Sequence, residues 1–244
     1  MNERIKILGI PFINTSFNKM IEILQGKIEK EEKAFVVTAN PEIVMYTYED
    51  AEYKETILNA DYIVPDGHGI LLASKILDKP IDERVTGYDL MMKLLELANK
   101  NRWRIFLLGG KAEVNRKAAL NLTAEFPDLV LAGNQDGYFN TDDKKVACEI
   151  AKSNPDLIFV ALGFPKQEKW ILENISSFSK GVFIGVGGSV DVLAGEVKRA
   201  PDIWQNMKLE WLYRLLQQPS RWRRMLALPR FVIQVLYSKN QKKD

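Results

Sequence analysis

A short apolar strand runs into a glycine-rich turn at Ala60-Asp61-Tyr62-Ile63-Val64-Pro65-Asp66-Gly67-His68-Gly69. The β-forming residues 62–64 predict a buried parallel strand, which ends at Pro65 because proline has no N–H to donate to a neighbouring strand. The two glycines after Asp66 allow backbone conformations that other residues avoid, and residues 70–77 have the pattern of a helix. Asp66 is therefore expected at the carboxyl end of a strand, in the crevice where open α/β sheets bind ligands.

A carboxylate in that crevice has three ordinary uses. It can act as a general base, it can accept hydrogen bonds from a ribose or another sugar, or it can cap the N-terminus of the following helix. The stretch around Asp66 leaves all three alternatives open.

Strands and helices alternate along most of the chain, which predicts the α/β class. Apolar runs predict strands at residues 6–8, 34–38, 62–64, 104–108, 129–132, 157–161 and 182–186. Helical patterns follow at about residues 16–25, 41–58, 70–77, 88–101, 112–126 and 142–153. This order favours right-handed βαβ units and one mostly parallel sheet flanked by helices.

Polar residues recur where these strands end. They are Thr38, Asn40, Asp66, Arg84, Gln167, Glu168 and Asp191. One carboxylate and one arginine with several hydroxyl or amide groups suit transfer from a phosphorylated donor, since the arginine offsets the charge of the leaving phosphate and the carboxylate takes a proton from the attacking hydroxyl. The pair Gly109-Gly110 joins a strand to a helix, as phosphate-binding turns do, but it lacks the full G-x-G-x-x-G pattern.

Several classes of protein are disfavoured. A lone Cys148 excludes intramolecular disulfides and cysteine-based metal clusters, and no D-x-D, H-E-x-x-H or C-x-x-C motif occurs. His68, the one histidine, is the only base available to a serine-type triad. The N-terminus lacks the apolar core of a signal peptide, and no run of about eighteen apolar residues predicts a membrane span.

The charge is divided unevenly along the chain. Residues 198–244 hold eleven Lys/Arg and three Asp/Glu, a balance of +8, whereas residues 1–197 hold twenty-three and twenty-nine, a balance of −6. Three of the five tryptophans also lie in this tail, interleaved with arginines at helical spacing. Such a segment fits an anionic membrane surface, or a helical pair packed on the sheet with arginines at its rim, or both together.

Seven short motifs, in order, resemble the WecG/TagA/CpsF family of bacterial glycosyltransferases. They are Thr38-Ala39-Asn40-Pro41-Glu42, Pro65-Asp66-Gly67-x-Gly69, Arg84-Val85-x-Gly87, Phe106-Leu107-Leu108-Gly109-Gly110, Gly163-x-Pro165-x-Gln167-Glu168, Gly185-Val186-Gly187-Gly188 and Arg199-Ala200-Pro201. The resemblance covers nearly the whole chain, from about residue 8 to about residue 224.

The resemblance implies a Rossmann-like fold and an inverting, metal-independent, membrane-associated transferase without a cofactor, because the UDP-sugar is a substrate. One branch, similar to this chain in length and basic tail, moves N-acetylmannosamine from its UDP donor to the 4-hydroxyl of N-acetylglucosamine on undecaprenyl diphosphate. That reaction belongs to the linkage unit of wall teichoic acid. Residues 1–200 would then form the transferase domain. Residues 201–244 would form a basic helical appendage at the inner face of the cell membrane.

The resemblance also implies roles for individual residues. Asp66 would be the base, with Thr38, Asn40, Arg84 and Gln167 in the same pocket. The tail arginines would reach a diphosphate, and Arg84 would help them to stabilise the leaving group; these are Arg214, Arg221 and Arg224. Further candidates for donor contacts are Gly109, Gly110, Glu168 and Asp191.

Other functions stay open at this point. A relative of the same family could use UDP-N-acetylmannosaminuronic acid or UDP-glucose, and a nucleotide-binding module could dock on membranes without catalysis. A nucleic-acid binder is disfavoured because the body of the chain is acidic. The tail could close over its own active site or over that of a second copy, so a homo-oligomer is an open alternative.

Overall fold

A computed structural model describes residues 3–141, 144–219 and 222–241. The strands are β1 Arg4–Ile7, β2 Ile10–Ile13, β3 Lys33–Ala39, β4 Tyr62–Pro65, β5 Arg104–Gly109, β6 Val130–Gln135, β7 Leu157–Ala161 and β8 Gly181–Gly185. The helices of the body are α1 Phe17–Glu29, α2 Pro41–Glu49, α3 Ala51–Leu58, α4 His68–Ile76, α5 Gly87–Asn101, α6 Ala112–Glu125, α7 Lys144–Lys152, α8 Lys166–Asn174 and α9 Ser189–Leu193. The tail adds α10 Asp202–Asn206, α11 Glu210–Gln217, α12 Trp222–Met225 and α13 Ala227–Asn240.

A parallel sheet forms the centre of the molecule. Within the described residues it has six strands in the order β4-β3-β8-β7-β5-β6, and every neighbouring pair is parallel. The predicted α/β class and Rossmann-like parallel sheet are confirmed. A separate antiparallel hairpin, β1–β2, was only partly predicted: a first strand was expected at residues 6–8, and β2 was missed.

Alternating side chains of the central strands pack into two apolar layers, one on each face of the sheet. On β3, Phe35 and Val37 join the layer that contains α2, α3 and α13, whereas Ala34 and Val36 join the layer that contains α1 and α5. All four side chains are buried. The sheet is therefore covered on both faces, which explains why its central strands are largely apolar on both sides.

Several predicted boundaries were wrong. Residues 41–58 form two helices instead of one, because Asp50 ends α2 and its Oδ1 accepts a 2.8 Å hydrogen bond from the N–H of Tyr53 in α3. Strand β6 continues through Gln135, which was predicted to lie in a loop. Pro65 is the last residue of β4 rather than the residue that follows it; since β4 is an edge strand, the missing N–H is tolerated. The predicted helix start at Asp142 lies outside the described residues.

The tail packs partly into the core. Helix α13 contacts α2 and α4, and its Phe231 and Val235 are buried in the same apolar layer as β3. No helix in the described part of the chain has the length and apolar content needed to span a bilayer. The tail therefore joins the body through one apolar helix face, while α10, α11 and α12 lie between this anchor and the sheet's last loop.

Candidate active site

Asp66 lies at the carboxyl end of β4, as predicted. Its N–H continues the sheet by donating to Ala39 O at 2.9 Å. The next residue, Gly67, has φ +93° and is the N-cap of α4, where no side chain accepts a capping hydrogen bond. Asp66 therefore does not cap α4. Its Oδ2 instead accepts a long 3.4 Å hydrogen bond from the N–H of Gly87, the first residue of α5.

The environment of Asp66 makes it a stronger base than an ordinary aspartate. Burial, together with the charge of Glu210, raises the pKa of Asp66 to about 6. Arg214, the Gly87 N–H and Arg84 oppose this by stabilising the carboxylate. A carboxylate with a pKa just below neutrality is ionised in the cell and still accepts a proton readily, as general-base catalysis requires.

A cavity of about 660 Å³ borders Asp66. Its polar lining includes Asn40, His68, Arg84 and Glu210. Apolar side chains from α4 and the tail also line it; the residues are Leu71, Leu72, Trp211, Met225, Leu228 and Val232. The cavity therefore combines a base and charged groups with a large apolar surface.

A second cavity, of about 420 Å³, lies at the loops after β7 and β8. Its lining includes the backbone of Gly163, Gly187 and Gly188 and the side chains of Asp191 and Arg199. Arg199 pairs with Asp89 at 2.5 Å, and its guanidinium lies 4.6 Å from the centre of the Tyr88 ring. Glycine-rich loops with cations beside them suit a phosphate-bearing ligand.

Two tail arginines line both cavities. Arg214, on α11, pairs with Glu210 at 2.6 Å. Arg224, on α12, lies 3.6 Å from Glu42 and 5.9 Å from the centre of the Phe164 ring. Two guanidinium groups thus stand where the cavities adjoin, as expected for groups that meet a diphosphate. The third predicted arginine, Arg221, lies outside the described residues.

Thr38, Gln167 and Glu168 support the site from within the protein instead of lining either cavity. The Thr38 hydroxyl donates to Gly185 O at 2.8 Å. Gln167 Nε2 donates to Glu168 Oε1 at 2.6 Å, and Gln167 Oε1 accepts from the N–H of Gly187 at 3.2 Å. A Cβ at Gly185 would lie 2.8 Å from Gln167 Nε2, so a larger residue there would displace the Gln167 amide from these hydrogen bonds.

Burial also governs Glu168, which is 1% exposed. Its pKa is raised to about 7 by burial, opposed mainly by the hydrogen bond from Gln167. The same desolvation, with the neighbouring Glu168, raises the pKa of Tyr53 far above its ordinary value. A carboxyl group that keeps its proton near neutrality can hold a fixed hydrogen-bond network without a buried charge.

The remaining predicted residues are divided between the cavities and their surroundings. Asn40 lines the first cavity while its Oδ1 caps α2 by accepting from Ile43 N–H at 3.0 Å. Asp191 lines the second. Gly109 and Gly110 line neither cavity; the Gly110 N–H donates to Ala161 O, so this pair packs against the end of β7.

Sequence reasoning did not single out several residues that line the cavities, among them Lys208, Glu210 and Trp211, and Arg199 appeared only within a family motif. Glu210 could have been found, because it precedes Arg214 by four residues on a helix, which places the two side chains together. His68 lines the first cavity, and burial with the nearby cations Arg84 and Lys208 lowers its pKa. Within the described residues, no group of three or more His, Cys, Asp or Glu side chains is arranged to hold a metal ion.

The family model described as "Glycosyl transferase WecG/TagA/CpsF family" matches residues 5–244 of the chain. The chain belongs to the WecG/TagA/CpsF family. The resemblance expected from the seven motifs is thereby confirmed, and with it the class of enzyme, a glycosyltransferase.

Named relatives are similar to this chain over nearly their whole length. A Bacillus subtilis (strain 168) protein is 40% identical over 238 residues, which are 97% of this chain and 93% of the relative. A Staphylococcus aureus (strain MRSA252) protein is 38% identical over 242 residues, 98% of this chain and 95% of the relative. Both are named N-acetylglucosaminyldiphosphoundecaprenol N-acetyl-beta-D-mannosaminyltransferase.

Proposed function

We propose that this chain moves N-acetylmannosamine from UDP-N-acetylmannosamine to the 4-hydroxyl of N-acetylglucosamine on undecaprenyl diphosphate, as in the linkage unit of wall teichoic acid. The observation that carries the proposal is an Asp66 with a raised pKa beside the first cavity. This cavity shares Arg214 and Arg224 with the second cavity, which is lined by glycines. The names of the relatives from Bacillus and Staphylococcus support the choice of sugar and acceptor.

The donor fits the second cavity. Its glycine backbone lets a nucleotide diphosphate approach closely, and Lys198 and Arg199 add positive charge there. The acceptor fits the first cavity, with its sugar near Asp66 and the start of its lipid along the apolar surface. In this arrangement Arg214 and Arg224 lie between donor and acceptor, where negative charge grows during transfer.

The reaction then follows as a single displacement. The Asp66 carboxylate takes the proton of the acceptor hydroxyl, and that oxygen bonds to the anomeric carbon from the face opposite UDP. The bond between the anomeric carbon and the β-phosphate oxygen breaks, and UDP leaves with the bonding electrons. Arg214 and Arg224 stabilise the departing diphosphate, and Arg84 contributes charge from the floor of the first cavity. Thr38, Gln167 and Glu168 hold the loops in place.

The tail gives the protein its proposed place at the inner face of the cell membrane. Its exposed large apolar residues include Trp211, Trp222, Leu226 and Ile233, and they lie among lysines and arginines. Aromatic and basic side chains together favour the interface of a membrane that contains anionic lipids.

Replacing Asp66 tests the proposal. Asp66→Asn should lower kcat at least ~100-fold, because a positioned general base contributes about that factor or more, while UDP affinity stays unchanged. Turnover is measured as UDP release with the lipid-linked acceptor, and UDP affinity by calorimetry. Asp82→Asn, at an exposed position outside both cavities, is the matched control.

Two outcomes would contradict the proposal. Near-normal turnover by Asp66→Asn would remove the base from the mechanism. A wild-type protein that transfers from UDP-N-acetylmannosaminuronic acid or UDP-glucose, and not from UDP-N-acetylmannosamine, would overturn the donor. No UDP release with any of the three donors would instead favour a non-catalytic nucleotide-binding module.

A further inference from the structure

Glu210 lies between two arginines at the border of the first cavity. Its Oε2 is 3.1 Å from Arg84 Nη1, and its Oε1 is 2.6 Å from Arg214 Nη2. The side chains of Glu210 and Arg84 are 14% and 17% exposed. Each carboxylate oxygen therefore has its own cation; the pair with Arg84 is largely buried, whereas the Arg214 side chain is 43% exposed.

The two arginines come from different parts of the molecule. Arg84 lies in the loop before α5, beside Asp66, whereas Arg214 lies on α11 of the tail. Glu210 is the first residue of α11, where the helix dipole also favours a negative charge. The bridge therefore fixes the start of α11 against the body at the point where Asp66 faces the cavity.

Without Glu210 the balance of charge around Asp66 would change. Arg84 and Arg214 both act on Asp66, and both would lose their shared carboxylate. They would repel each other, or one would turn to pair with Asp66 and hold it as an unreactive ion pair. The other charged or titratable groups that line this cavity are Glu42, His68, Lys75, Lys208 and Arg224.

We propose that Glu210 is a positioning residue: it bridges Arg84 and Arg214, holds α11 over the cavity, and keeps both guanidinium groups from pairing with Asp66. This inference rests on the proposed function, since it assigns Glu210 a part in the same transfer. Glu210 itself does not touch the reacting atoms in this role.

The proposed role predicts the direction in which the pH dependence of kcat changes when Glu210 is neutralised. Glu210 raises the pKa of Asp66, so neutralising Glu210 should lower that pKa. The base then stays ionised to lower pH, and the acidic limb of the kcat profile moves to lower pH. A tail that loosened from the body would also expose Asp66 and lower its pKa, so Glu49→Gln, which breaks a different ion pair between tail and body, is the control for loosened packing.

The experiment compares three variants of the full chain. Glu210→Gln should lower kcat by about tenfold to a hundredfold, because a misplaced catalytic environment costs about that much, and should move the acidic limb down. Glu210→Asp keeps the charge, so its limb should stay at the wild-type pH while kcat recovers in part. Glu49→Gln breaks a different ion pair between tail and body, Arg230–Glu49 at 3.1 Å, which lies outside both cavities. This variant should leave kcat and the acidic limb of the kcat profile unchanged.

Hydrogen exchange gives a readout that needs no turnover. Amides of α11 should exchange faster in Glu210→Gln than in Glu49→Gln, because only the first variant loses the bridge. Three outcomes would each overturn the inference. Glu210→Gln could keep the wild-type kcat and the wild-type acidic limb of the kcat profile, Glu49→Gln could lose as much kcat as Glu210→Gln, or the exchange of α11 amides could be unchanged. A wild-type protein that is inactive with every donor would overturn the proposed function, and the exchange measurement would still decide whether the bridge exists.

Discussion

At the scale of single residues, burial gives Glu168 a titration that affects the stability of the fold. The pKa of Glu168 is raised from 4.5 to about 7 in the folded protein. Between these two values the folded chain keeps a proton that the unfolded chain has released. The contribution of Glu168 to the free energy of unfolding is therefore fully present below about pH 4.5. It is lost as the pH rises toward 7, by roughly 3 kcal/mol at most.

Glu168→Gln should remove this dependence, because glutamine cannot ionise and can still accept from Gln167 Nε2. The free energy of unfolding, measured with urea at about pH 5 and about pH 8, should fall less for the variant than for the wild type. Glu173→Gln, at an exposed glutamate of the same helix, should keep the wild-type difference. An identical fall in Glu168→Gln would show that Glu168 is already ionised in the folded protein.

Single residues were predictable where chemistry and chain position coincide. Asp66 follows an apolar strand directly, so sequence alone placed it at the edge of the sheet. The supporting roles of Thr38 and Gln167 were not predictable, because their partners lie on other elements of the fold. Thr38 on β3 meets Gly185 at the end of the neighbouring strand β8, and Gln167 on α8 meets Gly187 in the loop after β8. The sequence motifs indicated the site, but they did not distinguish residues that line a cavity from residues, such as Thr38 and Gln167, that support its loops.

At the scale of elements, short apolar runs with clear ends were the most predictable. Strand β7 begins and ends where its five apolar residues do. The break between α2 and α3 was missed because the helical apolar spacing continues across Asp50, and only its capping hydrogen bond shows the interruption. Elements of the tail were the least predictable, since α10 and α12 are only five and four residues long and depend on tertiary contacts.

A chain that ends at Pro201 tests what the tail elements contribute. It loses Glu210, Arg214 and Arg224, so we expect no measurable transfer to the lipid-linked acceptor. It also loses Phe231 and Val235 from the core, each worth about 1.5–3 kcal/mol of burial, so its unfolding free energy should fall by several kcal/mol. A chain that ends at Asn240 keeps α13 and should match the wild type. Full activity of the shorter chain would show that the tail supplies no group to the reaction.

At the scale of the whole molecule, α13 presents two apolar faces. Phe231 and Val235 face the core, while Ile233, Leu236 and Tyr237 are exposed on the opposite side of the helix. A helix that needed only to anchor the tail would expose polar residues there. The exposed face therefore supports the proposal that the protein lies on a membrane with α13 between the body and the lipid.

Ile233→Asp should weaken binding to vesicles that contain anionic lipids by about tenfold or more, because it replaces a side chain worth about 1.5–3 kcal/mol on burial with a negative charge. Leu120→Asp is the matched control: Leu120 is 64% exposed and Ile233 is 66% exposed, but Leu120 lies on α6 of the body. Binding is measured by sedimentation with vesicles at low and high salt. The comparison separates the apolar contribution from the electrostatic one, since salt screening weakens only the attraction of the basic residues. Equal binding by the two variants, or a wild-type protein that stays in the supernatant at low salt, would contradict a membrane-facing α13.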